Sequence, residues 1–331
     1  MRVAMFSARS YERTLLDELN ARYQHEIAYF ETALGQDTVA LANGFPAVSV
    51  FANDCVDGGV LKQLAAGGTR LVATRSTGFN QIDVKAAGAL GIKVVRVTDY
   101  SPNSVAEFAV GLLLALNRKI VRASNRTRDG NFELDGLMGF DLVNRTVAVI
   151  GTGKIGMVFA RIMAGFGCKL IGFDTHRSPD FERIGGRYVE SDEVQAEADV
   201  ISLHCPLTPQ THHIVNDRTF ARMKRGALLI NTSRGGLVDT EAAIEALKSG
   251  QLGGVAIDVY EQEAGLFFRD LSSTVIADDV IERLVSFPNV IVTGHQAFFT
   301  REALGTIEDT TLASIADFAA GRPLLNEIRI P

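Results

Sequence analysis

The stretch Val147-Ala-Val-Ile-Gly-Thr-Gly-Lys-Ile-Gly156 reads as a short strand, a glycine turn and the start of a helix. The next apolar run, Lys169-Leu-Ile-Gly-Phe173, ends on Asp174. Each glycine has a physical task in such a unit. Gly151 permits the tight turn, Gly153 lets the backbone approach a pyrophosphate, and Gly156 lets the helix lie against its strand. The helix N-terminus offers unpaired N–H groups to the anion. A lone G-x-G-x-x-G is weak, because glycine-rich turns are common. Here the helical positions Met157, Val158, Phe159, Ile162 and Met163 follow it, and the acid arrives at the expected separation. That context favours a dinucleotide site over an ordinary turn in an α/β sheet. A carboxylate at the end of that strand accepts hydrogen bonds from a ribose 2′-OH and repels a 2′-phosphate, so Asp174 predicts NAD rather than NADP. His176 and Arg177 lie close enough in sequence to soften that preference.

Apolar or β-branched runs alternate with amphipathic stretches along the whole chain. In the first third the runs cover residues 3–6, 27–30, 47–51, 71–74 and 93–97, with helical spacing at 11–23 and 60–66. After the glycine turn the rhythm resumes at 200–203, 227–231, 254–259 and 290–293. This alternation implies βαβ units and parallel sheets covered on both faces. The fingerprint belongs to the first strand of a dinucleotide domain, yet about 145 residues precede it, so a separate α/β domain must come first. Tyr100-Ser-Pro-Asn103 is a turn-and-cap signal before one long helical segment, 104–126. The last helical segment, 301–320, has no strand after it and is expected to pack back on the first domain. The expected architecture is α/β with two parallel-sheet domains. Residues 1–100 with 299–331 form a flavodoxin-like substrate domain, and 101–298 form a Rossmann-type dinucleotide-binding domain. The chain would cross between them twice, with the reaction in the intervening cleft.

Composition narrows the function classes. A hydrophobic content of 47% with 22% charged residues is that of an ordinary soluble protein. The net charge of −6 argues against a nucleic-acid partner. The basic cluster Arg118, Lys119, Arg122, Arg126 and Arg128 falls on a helical segment and reads as a solvated or subunit-facing surface. Cys55, Cys168 and Cys205 are widely spread, with no C-x-x-C pair, and Cys168 reads as plain core; a reducing compartment fits best. No signal-peptide core opens the chain, and the apolar stretch 105–116 contains Glu107 and is too short for a bilayer. A cytoplasmic location with no membrane partner is expected.

A dinucleotide redox enzyme must bind the substrate's charge, move a proton and exclude water, while the cofactor carries the hydride. Three residues fall just past the ends of predicted strands, where such a sheet places its ligands: Arg234, Glu263 and His295. Imidazole titrates near neutrality, which suits His295 to proton transfer. A carboxylate beside it would favour the imidazolium, and Arg234 offers a planar fork for a substrate carboxylate. Singly, each could be structural: a satisfied strand-end histidine, an arginine capping carbonyls, an exposed glutamate. Together, after successive strands and behind a nucleotide fingerprint, they favour catalysis. Glu261 is a rival for Glu263 in the same short loop.

The chain resembles the D-isomer-specific 2-hydroxyacid dehydrogenases nearly end to end. The resemblance rests on Ser76-Thr-Gly-Phe-Asn80, Gly151–Gly156 with Asp174, His204-Cys-Pro-Leu-Thr208, Asn231-Thr-Ser-Arg-Gly-Gly236, Asp258-Val-Tyr-Glu-Gln-Glu263 and His295. Within the family, Tyr100-Ser-Pro-Asn-Ser-Val-Ala-Glu107 and Gly294-His-Gln-Ala-Phe-Phe299 are most similar to the fermentative D-lactate dehydrogenases. Many relatives carry proline after Glu263 and before the histidine; this chain has Ala264 and Gly294. The resemblance implies that Arg234 holds the carboxylate and polarises the carbonyl of pyruvate. His295 would donate the proton, oriented by Glu263, which the family's spacing from Asp258 selects over Glu261. It also implies NAD contacts from Lys154, Ile155, Asp174, Cys205, Pro206, Thr211, Thr232, Ser233 and Asp258, and substrate contacts from Thr77, Gly78, Tyr100 and Phe298. The implied reaction is reversible reduction of a 2-keto acid, pyruvate first, to a D-2-hydroxy acid. The alternatives are a larger branched or aromatic 2-keto acid, or an NAD-sensing interaction protein on the same scaffold; the intact Arg234–Glu263–His295 set argues against the latter. His204, His212 and His213 have no neighbouring acid in sequence, so no metal is expected. A homo-oligomer, dimer or tetramer, is expected from the apolar surface of the 104–126 segment, with Phe108, Leu112, Leu113, Leu116 and Ile120.

Overall fold

Parallel strands covered on both faces must be apolar at successive positions, not alternate ones. Val3, Ala4 and Met5, Ala47 and Val48, and Val147, Ala148 and Val149 meet that demand with no exposed surface. The structure is a computed structural model that describes residues 1–329. The chain divides into two compact units, one comprising Met1–Ser101 together with the chain from Phe299 onward, the other Pro102–Phe298.

The first unit contains β1 (Arg2–Met5), α1 (Ser10–Asn20), β2 (Glu26–Tyr29), β3 (Ala47–Val50), α2 (Gly58–Ala66), β4 (Leu71–Thr74), α3 (Val84–Ala89) and β5 (Lys93–Val95). Its strands are all parallel, in the order β2-β1-β3-β4-β5. Asp57 and Asp83 start α2 and α3 by accepting from the N–H groups of Val60 and Ala86, satisfying donors that a helix start leaves open.

The second unit begins with α4 (Pro102–Asn117) and α5 (Ile120–Arg128). It continues through β6 (Thr146–Ile150), α6 (Lys154–Gly165), β7 (Lys169–Phe173), α7 (Pro179–Arg183), β8 (Arg187–Tyr188) and α8 (Ser191–Glu197). It then runs β9 (Val200–Leu203), α9 (Asp217–Arg222), β10 (Ala227–Asn231), α10 (Thr240–Lys248), β11 (Leu252–Ile257), α11 (Asp279–Val285) and β12 (Val290–Val292). Seven parallel strands lie in the order β12-β11-β10-β9-β6-β7-β8. The order turns back between β6 and β9, so the loops leaving those two strands diverge and open the crevice where such sheets take ligands. Finally α12 (Arg301–Ala319) returns to the first unit and packs on α1 and β4.

Two elements differ from the sequence reading. The segment 104–126 is not one helix but two, because Lys119 adopts left-handed backbone at φ +53°. The cause is tertiary: the Asn117 side chain donates to Phe140 O and accepts from Phe140 N. That pulls the chain out of register where Arg and Lys would otherwise continue the helix. Leu112, Leu113 and Leu116 are buried within the unit, whereas Ile120 is exposed. The two-residue strand β8 carries no apolar run, so nothing in the sequence marks it. Cys168 is only half-buried, and its thiol donates to Leu142 O.

The first unit buries a charge cluster beneath the β1, β3 and β4 ends. Arg75, fully buried, donates to Ser49 Oγ at 3.1 Å and Phe6 O at 2.9 Å. It lies 3.6 Å from Glu12 Oε2 and 3.9 Å from Glu308 Oε1. Asp54, also buried, accepts from Ser7 Oγ, Leu34 N and Phe51 N. Neither carboxyl oxygen of Glu308 has a hydrogen-bond partner, and burial pushes its pKa up to about 8 against the pull of Arg75. The folded chain therefore keeps a proton there that the unfolded chain gives up near the ordinary glutamate value. Glu308 contributes stability that is complete below that value and fades as pH climbs toward 8. Stability to urea should accordingly fall between pH 5 and 8, and Glu308→Gln should flatten that slope; an unchanged slope would place the linkage elsewhere. Arg75→Met should cost about 3–5 kcal/mol, because it strands buried carboxylates without their cation.

Candidate active site

The glycine turn shows why each glycine is needed. A Cβ on Gly151, which sits at φ +92°, would lie 2.6 Å from Cys205 N, and one on Gly156 would lie 2.0 Å from Gly151 O. Gly153 instead faces open space, with nothing within 4 Å of a Cβ position. It caps α6, whose N-terminus receives no side-chain cap. An uncapped helix start beside an open backbone surface fits a pyrophosphate. Lys154 and Ile155 form its first turn.

Asp174 follows β7 directly. Its Oδ2 accepts from Thr152 N at 2.6 Å and Thr152 Oγ1 at 3.1 Å, and its Oδ1 accepts from His176 N at 2.8 Å. These bonds fix the carboxylate at the strand end while leaving lone pairs for a ribose hydroxyl. His176 and Arg177 are exposed, and Arg177 reaches Glu190 and lies over the Tyr188 ring.

Across the crevice, Cys205 is buried, and burial pushes its thiol up to about 11, so it is a neutral wall and not a nucleophile. Its carbonyl accepts from Ser233 Oγ at 2.7 Å, and Pro206 O accepts from Thr211 Oγ1 at 2.7 Å. Thr232 Oγ1 is buried with no hydrogen-bond partner, an unmet polar group of the kind a ligand satisfies. The donor set therefore suits a dinucleotide. His204 is half-buried and turned inward: burial holds its pKa down to about 3, its Nε2 meets Ser202 Oγ, and its ring packs on Phe159.

Arg234 follows β10 on a loop shaped by Asn231, whose side chain donates to Arg234 O and accepts from Ser233 N. Gly235 is obligatory because a Cβ there would meet Tyr260 C at 2.1 Å. Glu263 follows β11 and meets His295 Nδ1 at 3.0 Å through Oε1, while Oε2 accepts from Tyr260 N. His295 follows β12 in left-handed backbone at φ +56°. Asp258, fully buried, holds that turn. Its Oδ1 accepts from Thr293 Oγ1 and Gln296 N, its Oδ2 from Ala297 N, and its carbonyl from His295 N. Burial raises the Asp258 pKa, and those donors oppose the rise. The structure thus gives Asp258 a positioning task in addition to the cofactor contact that the family motif implies. Sequence reasoning missed Phe268, whose ring stands 5.8 Å from the His295 imidazole.

Thr77, Gly78 and Tyr100 belong to the first unit, half-buried on the loops after β4 and β5; Thr77 O accepts from Arg96 and Gly78 O from Ser76 Oγ. Phe298 is half-buried at the end of the second unit, and Phe299 is an exposed residue packed edge-on to Tyr11. One expectation is corrected. His212 and His213 do have an acid beside them, because the chain reversal after β11 brings Glu261 to His213. Glu261 also accepts from Thr240 N and Oγ1, so both of its oxygens have partners other than His295.

The chain is similar over most or all of its length to proteins already known. A family described as D-isomer specific 2-hydroxyacid dehydrogenase, NAD binding domain, matches residues 110–297. The 2-hydroxyacid dehydrogenase homolog 1 of Schizosaccharomyces pombe is 52% identical over 97% of each chain. The D-lactate dehydrogenase of Escherichia coli is 46% identical over 99% of this chain and all of its own. A solved structure of the pyruvate reductase of Chlamydomonas reinhardtii superposes with a TM-score of 0.94 at 43% identity, over 98% of both chains. The chain belongs to the D-isomer-specific 2-hydroxyacid dehydrogenase family. It is an NAD-dependent oxidoreductase that acts on D-2-hydroxy acids and their keto acids.

The two carboxylates of the loop should separate kinetically. Glu263→Gln should displace the pH profile of kcat/KM, whereas Glu261→Gln should leave its shape and lower stability by about 1–2 kcal/mol. A displaced profile in Glu261→Gln alone would reverse the assignment.

Proposed function

We propose that this enzyme reduces pyruvate to D-lactate with NADH, reversibly. The observation that carries the reading is the His295 Nδ1 to Glu263 Oε1 contact at 3.0 Å, beside an arginine on the neighbouring strand-end loop. Bound NADH supplies the hydride. Gly151, Gly153, Lys154, Ile155 and Gly156 would hold its pyrophosphate and Asp174 its ribose, with Cys205, Pro206, Thr211, Thr232, Ser233 and Asp258 along the remaining wall. Arg234 binds the substrate carboxylate with its guanidinium and polarises the keto oxygen. His295, its Nδ1 engaged by Glu263, presents Nε2 to that oxygen and gives it the proton that completes the alcohol. In the reverse direction the same nitrogen takes the proton back. Thr77, Gly78, Tyr100 and Phe298 are proposed as further substrate contacts on the family motif.

Pyruvate is favoured by the names of the relatives: a D-lactate dehydrogenase and a pyruvate reductase, both similar over nearly the whole chain. A methylene more or less in such a pocket changes discrimination by only about 1–3 kcal/mol, so the keto-acid side chain is decided by assay. We also propose a homo-oligomer in the cytoplasm. The first rests on the exposed apolar residues Ile120, Val121, Phe132, Leu134 and Met138 on and after α5. The second accords with the absence, among the described residues, of any helix long and apolar enough to cross a membrane.

NADH oxidation at 340 nm with pyruvate, 4-methyl-2-oxopentanoate and phenylpyruvate, followed by chiral analysis, should show the highest kcat/KM for pyruvate and a D product. A preference for either larger acid would replace pyruvate as the substrate. His295→Ala should lose roughly two to four orders of magnitude in kcat with NADH binding intact; near-full turnover would remove His295 from the mechanism.

A further inference from the structure

A second cluster of chemistry-bearing side chains lies in the second unit, unused by the reaction. His212 and His213 stand on the loop after β9 and Glu261 on the loop after β11, with one ligand atom from each within 4.8 Å of the others. The two imidazoles stack with centroids 4.0 Å apart. His213 Nε2 faces Glu261 Oε1 at 2.5 Å, and on the far side of the ring Nδ1 stands 3.9 Å from Asp239 Oδ2. Glu261 Oε2 is held by Thr240 N at 3.1 Å and Thr240 Oγ1 at 2.9 Å, leaving Oε1 directed at the histidine. The His213 backbone is fixed in left-handed conformation at φ +49°, its N–H bonded to Gly236 O and its carbonyl to Asn216 Nδ2.

We propose that His212, His213 and Glu261 form a binding site for a divalent transition metal, with Zn²⁺ as its reference ion and water in the fourth position. Two imidazoles and one carboxylate suit zinc and its neighbours in the first transition row, not magnesium or calcium, which take all-oxygen shells. Bond lengths of about 2.0–2.2 Å put tetrahedral ligand atoms about 3.3 Å apart. Rotation of the exposed His212 ring closes the longer gaps, and the His213–Glu261 pair opens by less than an ångström. The surrounding groups are those that orient metal ligands elsewhere: a carboxylate on the second nitrogen of a ligating histidine, and donors on the free oxygen of a ligating carboxylate. Thr240 fills the second place by hydrogen bonds, and the Asp239 carboxylate, 3.9 Å from Nδ1, faces the first across a gap that a small ring rotation closes. A bound ion would tie the loop after β9 to the loop after β11, and through the His213–Gly236 bond to the Arg234 loop. The site is independent of the substrate assignment.

The test is calorimetric titration of the EDTA-stripped full chain with zinc chloride, in a Cys55→Ser background because that thiol is exposed. The expected result is one zinc ion per chain and a thermal midpoint raised by zinc. His212→Asn and His213→Asn should each abolish both effects while folding normally, since asparagine tolerates the left-handed backbone at 213. Asp239→Asn, which still caps α10, should weaken binding by about 10–100-fold. Cobalt should give the visible bands of a tetrahedral site in the parent and not in either histidine variant. No saturable zinc binding, or binding unaltered by both histidine substitutions, would overturn the site and leave the His213–Glu261 pair as a strut between loops.

Discussion

The Asp258 carboxylate is the interaction on which the site's geometry turns. It follows β11 directly, is fully buried, and gathers the Thr293 hydroxyl and the N–H groups of Gln296 and Ala297. A buried carboxylate is costly unless donors replace its water, and here each donor comes from the turn that leaves β12. The energy that keeps Asp258 satisfied thus also keeps that turn in one shape. His295 sits inside it, its N–H tied to the Asp258 carbonyl. Glu263, five residues beyond Asp258, returns to the imidazole from the same loop. One strand end thereby sets both partners of the proposed proton-transfer pair.

The first unit uses burial differently. Arg75 binds the ends of β1 and β3 through Phe6 O and Ser49 Oγ, and faces more carboxylates than it can neutralise. Asp54 has a full set of donors, whereas Glu308 has none. The proton therefore resides on Glu308. Charge placement of this kind fixes how strand ends meet beneath the Ser76–Gly78 turn, at the expense of a pH-dependent stability.

Much of this was legible in the chain because its signals are local. The glycine turn, the strand runs and the acid at Asp174 each state their own geometry within a few residues. Arg234, Glu263 and His295 could be singled out because each follows a strand. Illegible were features made by contacts distant in sequence. The break at Lys119 depends on Asn117 meeting Phe140, and nothing in the helical spacing shows it. Glu261 reaches His213 only because β9, β10 and β11 lie side by side in the sheet, so the acid beside the histidines could not be read from the chain. Phe268 lies in an irregular loop with no period to place it. Asp258 is legible as a motif residue, but its hydrogen bonds to residues 293–297 require the β11–β12 pairing.

The left-handed backbone of His295 has a consequence for how this position can vary. Branched side chains are penalised there by their own Cβ, and the residues that enter that conformation most easily, glycine and asparagine, carry no proton to exchange near neutrality. With the proton transfer proposed for His295, drift at this position meets two filters of opposite demand, one of shape and one of acidity. Lineages that abandon the chemistry should be recognisable by small or amide side chains at the turn, its outline surviving after its purpose has gone.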